Sequence, residues 1–94
     1  MPAAHGRGRH IWHQFTVRSP RRDALRQALE QAGIASMIYY PVPLHRQPLY
    51  AADSAGIDLP ATDEAARTVL SLPIFPHLDG EGVRRVCEAL RANA

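Results

Sequence analysis

The sequence predicts a small α/β domain of two layers, with about three strands in a mixed or antiparallel sheet and helices packed on one side. Three observations carry this. Runs of β-branched and aromatic residues alternate with runs of helical periodicity, in the order β-α-β-loop-α-β-α. The chain has 94 residues, enough for one core and one domain. Apolar residues make up 46%, near the globular norm, so bulk disorder is not expected.

Residues 1–9, MPAAHGRGR, lack periodicity and read as a flexible lead-in; the domain is expected over 10–94. His10 to Arg18, HIWHQFTVR, alternates as a strand does, with Ile11, Phe15 and Val17 on one face. Ser19 and Pro20 are suited to open a helix, as cap and first residue. Leu25, Ala28, Leu29 and Ala32 form its apolar stripe, and Gly33 is a fitting stop. A second strand is expected over Ile34–Tyr40. The segment 41–50, PVPLHRQPLY, has prolines at 41, 43 and 48 and is excluded from helix and from central strand. It reads as a stiff, irregular crossing, with a short helical turn within 49–58. Thr62 to Leu70 reads as a helix with Asp63 and Glu64 near its positive end. Leu70–Ile74 is a short buried strand. Asp79 caps a last helix whose Val83, Val86, Cys87 and Leu90 fall on one apolar face.

Charge and cysteine content exclude several classes. No run of about 18 apolar residues exists, so no transmembrane helix is expected. The N-terminus lacks the apolar run of a secretory signal, and the single cysteine, Cys87, cannot close an internal disulfide; a cytoplasmic location is expected. His10, His13, His45, His77 and Cys87 do not form a zinc set. His10 and His13 lie three apart in a predicted strand and face opposite sides, and Cys87 belongs to a core stripe. Arg18, Arg21 and Arg22 cluster where a helix should start, which the macrodipole disfavours. A small anion- or nucleic-acid-binding module is therefore the alternative reading, against a plain solvated face. All 11 basic residues counted as Lys or Arg are arginine; the sequence contains no lysine.

The chemistry concentrates in YYPVPLHRQP. Prolines stiffen a loop and can hold side chains still without secondary structure. His45 can donate or accept, Arg46 can pair with phosphate or carboxylate, and Gln47 can read hydroxyls. Tyr39 and Tyr40 are placed to line a pocket. Such a set suits a polar, anionic ligand; the competing reading is a structural loop whose prolines only end strands.

These pieces, taken in order over residues 10–92, resemble the C-terminal region of the DegT/DnrJ/StrS family of pyridoxal-phosphate-dependent sugar aminotransferases. The most specific are Y-P-V-P-L-H-R-Q at 40–47 and L-S-L-P-I-F-P at 70–76. The resemblance implies the C-terminal small domain of a fold type I aminotransferase. Such enzymes move an amino group, usually from glutamate, onto a keto sugar carried on a nucleotide, in deoxyamino-sugar or polysaccharide biosynthesis. It implies pyridoxal phosphate held by a lysine of a large partner domain, a homodimer, and no membrane or nucleic-acid partner. His45 corresponds to a family loop histidine near the substrate pocket, with Tyr40 beside it and Tyr39 where many members carry histidine. Tyr39, Tyr40, His45, Arg46 and Gln47 are thus the expected substrate-binding residues; no catalytic, cofactor-binding or metal-binding residue is assigned. Without a lysine side chain the chain cannot anchor the cofactor. It is expected to be part of a longer enzyme, with an exposed apolar face where the large domain docks.

Overall fold

A computed structural model describes residues 6 and 8–93. The other residues of the expected lead-in, 1–5 and 7, lie outside the described residues. The elements are strand β1 (Phe15–Arg18), helix α1 (Arg22–Gln31), helix α2 (Pro60–Thr68), strand β2 (Val69–Leu72) and helix α3 (Gly80–Asn93).

The two strands pair antiparallel in the register Phe15↔Leu72, Thr16↔Ser71, Val17↔Leu70 and Arg18↔Val69. The pleat sends Phe15, Val17, Leu70 and Leu72 to one face. There they join Leu25 and Leu29 of α1, Ile34, and Val86, Ala89 and Leu90 of α3 in one core. Leu29 and Leu70 are wholly buried. On the opposite face Thr16 and Ser71 pair through their hydroxyls at 2.8 Å. The first strand is shorter than its sequence pattern. Pro73, opposite Gln14 in this register, has no N–H for the ladder. Trp12 has φ 49°, a left-handed conformation incompatible with a strand. Ile11 is accordingly exposed and does not share the face of Phe15 and Val17.

The strand expected over Ile34–Tyr40 is reduced to one bridge. Met37 exchanges both backbone hydrogen bonds with Ser71, at 3.0 and 2.7 Å, on the edge of β2 away from β1. The next pairs on that edge would be 35 with 73 and 39 with 69. Pro73 has no donor, and the Val69 N–H is already bonded to Ala65 O at the end of α2. The ladder therefore has nowhere to continue, and the sheet has two strands among the described residues.

Helix α1 starts three residues after Ser19. The Ser19 hydroxyl accepts from Arg21 N at 3.1 Å, so Ser19–Pro20–Arg21 is a turn ahead of the helix and Arg21 occupies the cap position. The helix ends as its sequence indicates. Gly33 has φ 72°; its N–H bonds Glu30 O at 2.9 Å and that of Ile34 bonds Leu29 O at 2.8 Å. This is a Schellman stop, with Leu29 and Ile34 in the same core. Pro60 begins α2, where a missing N–H costs nothing. In α3, Asp79 Oδ1 accepts from Gly82 N at 2.7 Å, the expected cap. Among the described residues no helix is long and apolar enough to cross a membrane.

Candidate functional site

The proline-rich segment follows its bridge to Ser71 out of the core. Its prolines permit only short stretches of helix, and two 3-10 turns form, Leu44–Arg46 and Pro48–Tyr50. The Tyr39–Tyr40 peptide is cis. The two tyrosine rings meet edge to face, 5.5 Å between centroids.

Two clefts lie between this segment and α2. The first, about 440 Å³, is walled by Tyr39, Tyr40, Val42 and Gln47 on one side and by Thr62, Ala65 and Ala66 on the other. It is mostly apolar, with two phenol groups, one amide and one hydroxyl as its polar handles. The second, about 480 Å³, is lined by His45, Tyr50, Ser54 and Leu59. Leu44 and Thr62 border both.

The five residues expected to bind substrate are thus divided. Tyr39, Tyr40 and Gln47 share the first cleft. His45 faces the second. Its side chain is only 9% exposed. Its Nε2 is buried without a hydrogen-bond partner and lies 3.5 Å from Asp63 Oδ1. Arg46 is turned onto Asp63, donating from Nε to Oδ1 at 2.6 Å and from Nη2 to Oδ2 at 2.5 Å. This two-pronged geometry is the strong form of a guanidinium–carboxylate pair. The hydrogen bonds from Arg46, and then its charge, hold the Asp63 carboxyl below the usual carboxylate range against the opposing effect of burial. The same bonds push the Arg46 guanidinium up.

Sequence reasoning did not find two of these partners. Asp63 reads along the chain as a first-turn dipole partner of α2, which it also is. Thr62 carries no motif at all. The separation of 17 positions between Arg46 and Asp63 hides the pairing, because only the path of the loop brings them together.

Of the arginine cluster, Arg22 is withdrawn into the protein, whereas Arg18 and Arg21 are exposed. Arg22 is buried and donates from Nη1 to Ala66 O at 3.0 Å and Val69 O at 3.2 Å. Arg18 donates to Thr68 Oγ1 at 3.4 Å. The Arg22 charge serves the junction of α2 with β2.

Large apolar side chains stand exposed around the clefts and along the 73–76 turn. Tyr40, Leu44 and Leu49 are about 70% exposed or more, and Phe75 is half exposed. In a lone domain such surface is unusual.

The model of the DegT/DnrJ/EryC1/StrS aminotransferase family matches residues 1–91. A dTDP-3-amino-3,4,6-trideoxy-alpha-D-glucose transaminase of Streptomyces venezuelae is 48% identical over 82 residues, which are 86% of this chain and 22% of that protein. A UDP-N-acetyl-3-dehydro-alpha-D-glucosamine 3-aminotransferase of Acidithiobacillus ferrooxidans is 42% identical over 91 residues, 97% of this chain and 24% of that protein. Among solved structures, S. venezuelae DesV in complex with a ketimine intermediate superposes with a TM-score of 0.82 at 47% identity, covering 87% of this chain and 22% of that one. The chain spans about a quarter or less of the length of these relatives.

Proposed function

This chain belongs to the DegT/DnrJ/EryC1/StrS aminotransferase family, and from that premise we propose that it is the C-terminal, pocket-forming domain of an enzyme that aminates a nucleotide-linked keto sugar. The amino donor is an amino acid, glutamate by family resemblance. The complete enzyme is a cytoplasmic homodimer using pyridoxal phosphate, in deoxyamino-sugar or polysaccharide biosynthesis. One observation carries the reading: 48% identity to a sugar-nucleotide transaminase across nearly the whole of this chain.

The chain's own residues do not fit the cofactor. Its sequence contains no lysine, and no other side chain supplies the primary amine that holds pyridoxal phosphate. Arginine cannot substitute, because its guanidinium stays protonated and delocalised. The chain's contribution is therefore binding. Tyr39, Tyr40 and Gln47 offer an aromatic wall and an amide to a sugar nucleotide, and His45 borders the adjoining cleft. The exposed apolar surface near Tyr40, Leu44 and Phe75 supports docking to a larger, cofactor-holding body. The alternative of a nucleic-acid- or anion-binding module has less support, since Arg22 and Arg46 are already engaged with protein oxygens.

The test is a hybrid in which this chain replaces the matched 82-residue segment of the S. venezuelae transaminase. The hybrid is expected to load pyridoxal phosphate and aminate a nucleotide keto sugar. A hybrid that is soluble and loaded with cofactor, yet aminates no such sugar, overturns the pocket role.

A further inference from the structure

The sugar-pocket reading leaves one cluster without a role. Asp63, Arg46 and His45 meet next along the chain to Thr62 and Leu44, the residues that border both clefts. His45 is nine-tenths buried, with Nε2 aimed at Asp63 and bonded to nothing among the described residues. Arg46 closes on the same carboxylate with two bonds.

The segment they belong to needs an anchor. Every backbone hydrogen bond with both ends between Pro43 and Ile57 spans four residues or fewer. No ladder ties this stretch to β1, β2 or α1. Among the described residues, the ion pair joining it to a regular element is that of Arg46 with Asp63, and His45 Nε2 lies 3.5 Å from the same carboxylate. The anchor point is rigid, because Asp63 lies inside α2 with its own N–H bonded to Leu59 O at 3.0 Å. It is also well placed. Thr62, one residue before Asp63, and Leu44, beside His45, are the two residues that border both clefts.

We infer that Asp63 is a positioning residue: through Arg46 and the buried face of His45 it fixes the proline-rich segment on α2 and so sets the width of the Tyr39–Tyr40 cleft. The inference rests on the sugar-pocket reading only for its consequence in catalysis. The anchor itself is a property of this chain. Prolines at 41, 43 and 48 make the segment stiff, so a single pin at its middle controls its whole path. The pin acts on substrate affinity, and it touches no reacting atom.

Two measurements decide it. The first is amide hydrogen exchange in the 94-residue chain. Asp63→Asn keeps shape and removes charge; Arg46→Gln removes the other partner; Asp63→Glu keeps the charge on a longer arm. Both charge-removing variants are expected to speed exchange at residues 44–51 by about tenfold, leaving Leu29 and Leu70 protected, with partial recovery in Asp63→Glu. Unchanged exchange at 44–51 in a folded variant overturns the anchor. If Asp63→Asn does not fold, Arg46→Gln, which removes only a mostly exposed guanidinium, carries the test.

The second is kinetics in the active hybrid. Asp63→Asn is expected to raise KM for the nucleotide sugar about three- to tenfold with kcat within about twofold. A fall in kcat at unchanged KM overturns the positioning role. If the unsubstituted hybrid aminates nothing, the sugar-pocket reading fails, and the exchange result alone still decides the anchor.

Discussion

The Arg22 guanidinium reaches across 44 residues to the carbonyl oxygen of Ala66, at 3.0 Å, and on to that of Val69 at 3.2 Å. Its Nε meets the neighbouring Asp23 carboxylate at 2.6 Å. One side chain at the start of α1 thus closes the end of α2 and the start of β2. Helix ends leave carbonyls without partners, and a cation there also meets the negative end of the dipole.

Replacing Arg22 with Met keeps most of the stem and removes the donors. Two partly buried carbonyls then lose a charged partner. The expected cost is about 2–3 kcal/mol, read as a lower urea midpoint with an unchanged slope. Arg21→Met, at an exposed position one residue earlier, is expected to change stability by less than about 0.5 kcal/mol. Equal effects at the two positions would contradict the assignment.

The Asp63 anchor has a pH signature. Its carboxyl is held below the ordinary aspartate value of about 3.9. A depressed folded-state value means that the contribution is fully present above about pH 4 and fades as pH falls through the lower, folded-state value. Amide exchange at 44–51 is expected to be flat from pH 7 to 5, after correction for intrinsic rates, and to rise more than the core's only in acid. A loosening that begins well above the carboxylate range would overturn Asp63 as the group responsible.

Core truncation separates the packed half of the molecule from the bare half. Leu29→Ala removes a wholly buried side chain and is expected to cost about 2–5 kcal/mol. A domain of this size has little stability beyond that, so much of the variant should be unfolded at 25 °C by circular dichroism. Leu49→Ala, at a position 79% exposed, is expected to be neutral within about 0.5 kcal/mol in the chain alone. A loss of cofactor-loaded hybrid on the second substitution, with no loss of stability in the chain, would mark Leu49 as part of the docking surface.

The cap of α3 offers a smaller effect. Asp79→Ala removes the acceptor for Gly82 N and is expected to cost about 1 kcal/mol, with fraying of the first turn. Asp79→Asn should retain most of the stability. Equal losses in both would show that the cap acts through charge more than through its hydrogen bond.

The helices were legible because their signals are local. The apolar spacing of Leu25 and Leu29 and the left-handed Gly33 are complete within a few residues of sequence. So is the Asp79 cap, whereas α2, expected over Thr62–Leu70, runs Pro60–Thr68 and gives Val69 and Leu70 to β2. The sheet was harder to read. His10–Arg18 has the alternation of a nine-residue strand, and only four of those residues pair. Alternation reports which faces a strand would present; pairing also requires a partner with free donors. Within the candidate site, the tyrosines and Gln47 were legible from the motif that carries them, whereas the destination of Arg46 was not. Its guanidinium would suit an external anion equally well on chemistry alone.

The amino-acid order by itself determined the composition of each element, where α1 stops, where α3 starts, the membership of the family and the lack of any amine to hold a cofactor. These follow from residue types and short-range spacing. Only the tertiary structure decided that 34–40 contributes one bridge to the sheet, that Arg22 serves carbonyls, and that Arg46 and His45 converge on Asp63. Each depends on which donors and acceptors remain free once distant segments have packed, and that is a property of the folded path.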